Sequence, residues 1–335
     1  VATNHQYMMF FTQKGKCFWM RVYEIPEGSK TAKGRAIQNL VNIESDDKVK
    51  AFICTQDLKD KDYINTHNLV MVTKQGQVKK TSLEKYSKPR ANGVAAITIK
   101  EGDELIGAQL TNGESQIILA VKSGKLVRFE ETKTRPMGRT ASGVRGITLK
   151  DETDEVIGMV TVDKNDITES QILVVTENGY GKRTKLVDED GEDVYRITNR
   201  GGKGVKTLNI TEKTGKLISI NAVTDADDLM IINKSGLTIR MAIEDLRVMG
   251  RATQGVRLIN LKGKDSIAAV TTVMKDDAEE VELDEDGNVI GAIERVKPDL
   301  EVLEDDGSVE EEDDSDDEVA EDEDDAEAED EESEE

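Results

Sequence analysis

The sequence predicts an all-β protein, a propeller-like array of about five small antiparallel sheets of four strands each, followed by an acidic tail. Three observations predict it. Two glycines recur in register along the chain, a first set at Gly15, Gly76, Gly124, Gly179 and Gly236 and a second at Gly34, Gly93, Gly143, Gly204 and Gly255. Short apolar runs flank them, and the pattern returns about every 50 residues, the spacing of propellers and solenoids. Charge is divided as well: residues 276–335 hold 34 acidic residues against Arg295 and Lys297, so the net −24 splits into +8 for residues 1–275 and −32 beyond.

The repeat is clearest between Ile117 and Val162. Ile117 to Val121 forms an apolar run and meets a turn at Ser123–Gly124, where glycine can take the positive φ of a tight reversal. Leu126 to Phe129 follows as a second strand. A polar loop carrying Arg135 and Arg139 leads to Gly143 and a third run, Val144 to Leu149, and Val156 to Val162 closes the unit. A sheet of about 45 residues cannot bury its own faces and has to stack on copies of itself. Those copies are expected at residues 1–57, 66–112, 115–163, 170–225 and 227–275.

From the start of the chain, the first apolar run begins by Met8, and no leader peptide is expected after Val1. No window is apolar enough for a membrane helix, so a soluble cytoplasmic protein is expected. Cys17 and Cys54 sit inside apolar runs without metal-like spacing and read as free thiols in a reducing compartment. Beyond the repeats, residues 276–300 read as a linker with a hairpin from Glu282 to Ile293 turning at Asp286–Gly287. Residues 301–335 are too charged to repay the entropy of folding and are expected to be disordered.

Cations recur with the glycines. After the first glycine come Lys79–Lys80, Lys125 and Arg128, Lys182–Arg183, and Arg240; around the second stand Lys30, Lys33 and Arg35, then Arg90, Arg139 and Arg145, Arg200 and Lys203, and Arg251 and Arg257. Equivalent positions on equivalent sheets put these residues in one line. Spaced cations on a rigid support suit the phosphates of duplex DNA, whose binding strengthens with each charge neutralised.

The strings TKQGQVKKT, ENGYGKRT, MGRTASGVRGITL and MGRATQGVRLINL carry a resemblance. They resemble the repeats of the DNA gyrase A C-terminal domain family, over residues 1–275. The resemblance implies a β-pinwheel, a disc of usually six blades that exchange strands and wrap DNA around a basic perimeter to direct strand passage toward negative supercoils. It implies as partners duplex DNA, the gyrase B subunit, and the remainder of gyrase A. It also implies a basic first blade lying before Val1, leaving five; the nearest match here to that blade's basic box is Arg200–Gly201–Gly202–Lys203–Gly204. The acidic tail is expected to compete with DNA for the basic body.

No catalytic constellation stands out. His5 and His67 lack metal or triad partners, no phosphate loop ends in Lys-Ser or Lys-Thr, and none of the six tyrosines sits among the acidic metal ligands and arginines that DNA cleavage requires. No cofactor or metal is expected. Two other readings stand beside this one. The first is the corresponding C-terminal domain of topoisomerase IV; the second, from a different class, is a protein-binding propeller, whose WD or kelch signatures are missing.

Overall fold

In each repeat the first apolar run, the turn glycine and the second run fold as a tight hairpin. The strands in chain order are β1 (Tyr7–Thr12), β2 (Lys16–Arg21), β3 (Val49–Thr55), β4 (Asn68–Thr73), β5 (Gln77–Ser82), β6 (Val94–Ala95), β7 (Leu105–Thr111), β8 (Gln116–Val121), β9 (Lys125–Glu130), β10 (Val144–Arg145) and β11 (Val156–Val162). They continue as β12 (Gln171–Thr176), β13 (Tyr180–Lys185), β14 (Val205–Lys206), β15 (Leu217–Val223), β16 (Asp227–Asn233), β17 (Thr238–Ala242), β18 (Val256–Arg257), β19 (Ile267–Met274), β20 (Val281–Leu283) and β21 (Val289–Ala292). One short helix, α1 (Lys61–Thr66), links the first two repeats. These elements come from a computed structural model that describes residues 2–29, 32–261, 263 and 265–275, and the paired strands 281–283 and 289–292. The acidic residues 301–335 and the turn at Asp286–Gly287 lie outside the described residues.

The sheets run β3-β1-β2-β6, β7-β4-β5-β10, β11-β8-β9-β14, β15-β12-β13-β18 and β19-β16-β17. Every pairing within them is antiparallel. Each repeat therefore keeps three strands, and from the second repeat on the short third strand goes to the sheet of the repeat before. This corrects the expectation of one self-contained sheet per repeat: the third strand is not Val144 to Leu149 but Val144–Arg145, and it pairs with Val78 and Gln77 of the preceding repeat. Four blades have four strands. The fifth has three among the described residues, where no following repeat supplies another.

The second glycine makes the exchange fit. Gly143 has φ +92°, and a Cβ there would stand 2.6 Å from the Val78 carbonyl oxygen; Gly255 has φ +81°, and a Cβ would stand 2.6 Å from that of Gly181. Only glycine lets the incoming strand lie that close.

The long strands of neighbouring repeats stack face to face. Val70, Val72 and Val78 pack with Ile117, Leu119, Val127 and Phe129 in one such layer, and Ile118 and Ala120 with Ile172 and Val174 in the next. All six residues of β8 are buried because both faces are covered, so its sequence is a continuous apolar run rather than an alternation. Burying each Leu or Ile contributes about 1.5–3 kcal/mol. Phe52, Leu110, Thr161, Ala222 and Thr272, one from each fourth strand, line a shared depression at the hub. The donated third strands then lie at the opposite, outer edge of their sheets.

Candidate nucleic-acid interface

Strand exchange decides which cations reach the perimeter. The outer strands of blades two, three and four end on Arg145, Lys206 and Arg257, opposite Gln77, Lys125 and Tyr180. Arg145 and Lys206 are exposed and Lys125 is half-buried. Arg257 is half-buried against Tyr180, its guanidinium carbon 5.4 Å from the ring centroid and its Nη2 donating to the phenol oxygen at 2.9 Å.

The loop ahead of each second glycine adds a further cation. Arg90, Lys203 and Arg251 are exposed, while Arg139 and Arg200 are half-buried. Arg200 donates through Nε to the Lys133 carbonyl at 3.2 Å and through Nη1 to that of Arg145 at 3.4 Å, bridging to the neighbouring perimeter strand. In the first repeat Lys33 and Arg35 are exposed on a segment that joins no sheet, and a Cβ on Gly34 would meet nothing within 4 Å. Lys30 lies outside the described residues.

The cations after the first glycine are placed elsewhere, which corrects their expected position on an open track. Lys79, Lys80, Arg128, Lys182 and Arg183 are all buried. Lys79 Nζ donates to the Ala96 carbonyl at 2.7 Å and the Arg139 carbonyl at 2.5 Å. Burial, and then the nearby Arg139 guanidinium, push its pKa down to about 7. Lys182 Nζ donates to the carbonyls of Gly250 and Arg251, both at 2.6 Å, and to Thr253.

The next position along each strand clamps the joint itself. Lys80 donates to the Glu131 carbonyl at 3.0 Å, and Arg128 Nη1 to the carbonyls of Leu186 at 3.2 Å and Tyr195 at 2.8 Å. Arg183 donates to the carbonyls of Leu246 and Glu244 and pairs with Asp225. In each case the partner carbonyl belongs to the following repeat. Burial holds the Lys80 and Arg128 pKa values below their usual range. Arg240, half-buried, pairs at 2.7 Å with Asp228, which is fully buried in its own sheet.

The repeat contains a signal for this burial. Counted from the first glycine, Lys79 and Lys182 align with Phe18, Val127 and Ile239, and Lys80 aligns with Trp19. A position that is apolar in three copies of five is an interior one. Sequence reasoning also missed Thr98, Thr148 and Asn209, each five residues past a second glycine. Thr98 Oγ1 donates to the Thr140 carbonyl at 2.5 Å, Thr148 N to that of Gly202 at 2.9 Å and Asn209 N to that of Thr253 at 3.2 Å, holding the next repeat's loop from its flank.

Among the described residues, no group of three or more His, Cys, Asp or Glu is placed to hold a metal, and no helix is long and apolar enough to cross a membrane. Tyr86 and Tyr195 are buried, with hydroxyls bonded to the Ala96 carbonyl and Thr207 Oγ1.

These features define a class: a propeller-like repeat domain of strand-exchanged β-blades whose outer strands and loops carry arginine and lysine. The sequence model of the DNA gyrase C-terminal domain, described as a β-propeller, matches residues 6–56, 67–112, 116–163, 170–224 and 227–274. The chain belongs to that family. The gyrase A protein of Staphylococcus aureus strain MRSA252 is 42% identical over 287 residues, covering 86% of this chain and 31% of that relative, so the chain spans about a third of the curated relatives it matches. In fold it is similar to the C-terminal domain of DNA topoisomerase IV, at a TM-score of 0.70 and 23% identity over 81% of this chain and 80% of the other. A DNA gyrase A C-terminal domain gives 0.66 and 22% identity over 82% and 84%.

Proposed function

We propose that this chain is the non-catalytic DNA-wrapping part of a cytoplasmic DNA gyrase A protein. It binds duplex DNA along its perimeter without reading bases and bends it toward a cleavage gate formed by the rest of gyrase A with gyrase B, favouring negative supercoils. The reading is carried by the donated strands, which set Arg145, Lys206 and Arg257 at one recurring perimeter position beside Arg90, Arg139, Arg200, Lys203 and Arg251. Many phosphate contacts on a rigid edge can offset the few kcal/mol that bending a short duplex costs. The 42% identity to a gyrase A protein favours gyrase over topoisomerase IV. The acidic residues 301–335 would compete with DNA for the same cations, so their deletion tightens binding at low salt and less so at high salt.

A salt titration of duplex binding tests the reading. With about six phosphates engaged, affinity falls roughly a thousandfold between 50 and 200 mM salt. A binding constant indifferent to salt, or no binding at all, would leave a protein-binding propeller as the better account.

A further inference from the structure

Two loops share a feature that the other three lack. The loop of the third repeat reads Met137–Gly138–Arg139 and that of the fifth Met249–Gly250–Arg251, and no other repeat has this triplet before its second glycine. Three residues past the first glycine, only blades two and four carry lysine, as Lys79 and Lys182, where blades one, three and five have Phe18, Val127 and Ile239. Each lysine therefore occurs where the next repeat brings a Met-Gly-Arg loop.

The geometry explains the match. Each of these loops enters through a backbone bond from its methionine, Met137 N to the Lys80 carbonyl at 2.8 Å and Met249 N to the Arg183 carbonyl at 2.9 Å. It leaves through the close-packed glycine, Gly143 or Gly255. Between those points the backbone passes over the lysine ammonium, which takes the carbonyl of the arginine itself: Arg139 O at 2.5 Å and Arg251 O at 2.6 Å. Both lysines have 0% exposure. The loop of the fourth repeat enters in the same way, Thr198 N to the Arg128 carbonyl at 2.9 Å, but the residue at the lysine position is Val127. It keeps the flank contact that the loops of the third and fifth repeats also have, and there Thr148 Oγ1 donates to the Gly201 carbonyl at 2.6 Å.

The geometry points to Lys79 and Lys182 as positioning residues for DNA binding: buried latches that grip the backbone of Arg139 and Arg251 and so fix where those cations stand on the perimeter. This rests on the DNA-binding reading above. Burying an ammonium costs stability, and packing alone would favour the apolar residue found in the other three blades. What lysine adds is a donor for the Arg139 or Arg251 carbonyl in a loop without regular structure, and an ordered loop loses less entropy when its arginine meets a phosphate.

The test is a double-mutant cycle in the whole chain, with duplex affinity measured at fixed salt. Arg251→Ala and Lys182→Met each weaken binding about three- to tenfold, near the value of one phosphate contact, and the double variant is no weaker than either single one. In parallel, amide exchange across 249–255 speeds up in Lys182→Met while β12 and β13 keep their protection. Wild-type affinity in folded Lys182→Met, or losses that multiply in the double variant, overturns the latch. If Arg251→Ala itself binds normally, the DNA reading of this loop fails, and the exchange data alone then decide whether the lysine orders it: unchanged exchange overturns that too. Should Lys182→Met not fold, Thr253→Val removes one acceptor at 3.1 Å and leaves the lysine in place, carrying the same cycle at smaller amplitude. Lys79→Met with Arg139→Ala repeats it in blade two.

Discussion

In blade four, Lys182 and Arg183 are buried beneath the loop that presents Arg251 to solvent. The same residue types serve two purposes in one blade: inside, their donors go to carbonyls of the following repeat and to Thr253 Oγ1 and Asp225, and outside they face the medium. The contrast teaches that a count of cations per repeat overstates the charge available to a ligand. Of the basic residues after the first glycine, Lys79, Lys80, Arg128, Lys182 and Arg183 hold the disc together.

The largest effect should come from breaking an inner cation. Arg128→Ala strips the donors from the carbonyls of Leu186 and Tyr195 and from Gln116 Oε1 and removes the guanidinium partner of Asp193. It should cost about 3–5 kcal/mol by denaturant titration, the usual penalty for breaking a buried charged contact. A loss under about 1 kcal/mol would mean that the inner cations are no more structural than the outer ones.

A second test uses pH. Unfolded, Lys79 holds its proton up to about 10.5, and folded only to about 7. Between those values the unfolded chain binds more protons, so stability rises with pH through this window. From pH 7 to 9.5 the wild type should gain on the order of 2 kcal/mol relative to Lys79→Met, whose profile lacks this contribution. Parallel profiles would show that Lys79 is not held in a charge-disfavouring site.

Next comes the perimeter. The pair Arg145→Ala and Lys206→Ala should change stability by under about 0.5 kcal/mol each and lower the slope of log affinity against log salt by about two. Unfolding in this variant would invert the assignment of inside and outside. The smallest effect is expected at Lys33 and Arg35, which are exposed on a segment without a sheet to hold it. Their double alanine variant should weaken duplex binding about twofold or less, because a charge on an unpaired segment loses entropy when it is fixed. A loss equal to that at Arg145 and Lys206 would show that preorganisation by the outer strand is unimportant.

The number of blades was legible because glycine is needed for local reasons, a turn at the first site and, from the second repeat on, a close approach at the second; Gly34, where a Cβ would meet nothing, keeps only the positive φ. The four-strand count per repeat was legible too, but the owner of the third strand was not. Val144–Arg145 has an acceptor outside its own repeat, and nothing in a two-residue strand specifies which neighbour it joins. The burial of Lys79 and Lys182 escaped a reading based on charge but was encoded in register, through Phe18, Val127 and Ile239 at the same position. Arg90, Lys203 and Arg251 stand exposed where the residue type suggested.

Strand donation also sets a timetable for synthesis. Blade one has its hairpin and its β3 strand once Thr55 has left the ribosome, yet its outer edge waits for Val94 and Ala95. At about 5–20 residues per second that is a delay of a few seconds, repeated at blades two to four. A nascent chain of this kind always trails one sheet with a bare edge, and an exposed edge invites pairing with other chains. The hairpin strand awaiting its partner in blades two to four bears Lys79–Lys80, Arg128 and Lys182–Arg183, so the charges that later lock the joints would first keep unfinished neighbours on a polysome from pairing with one another.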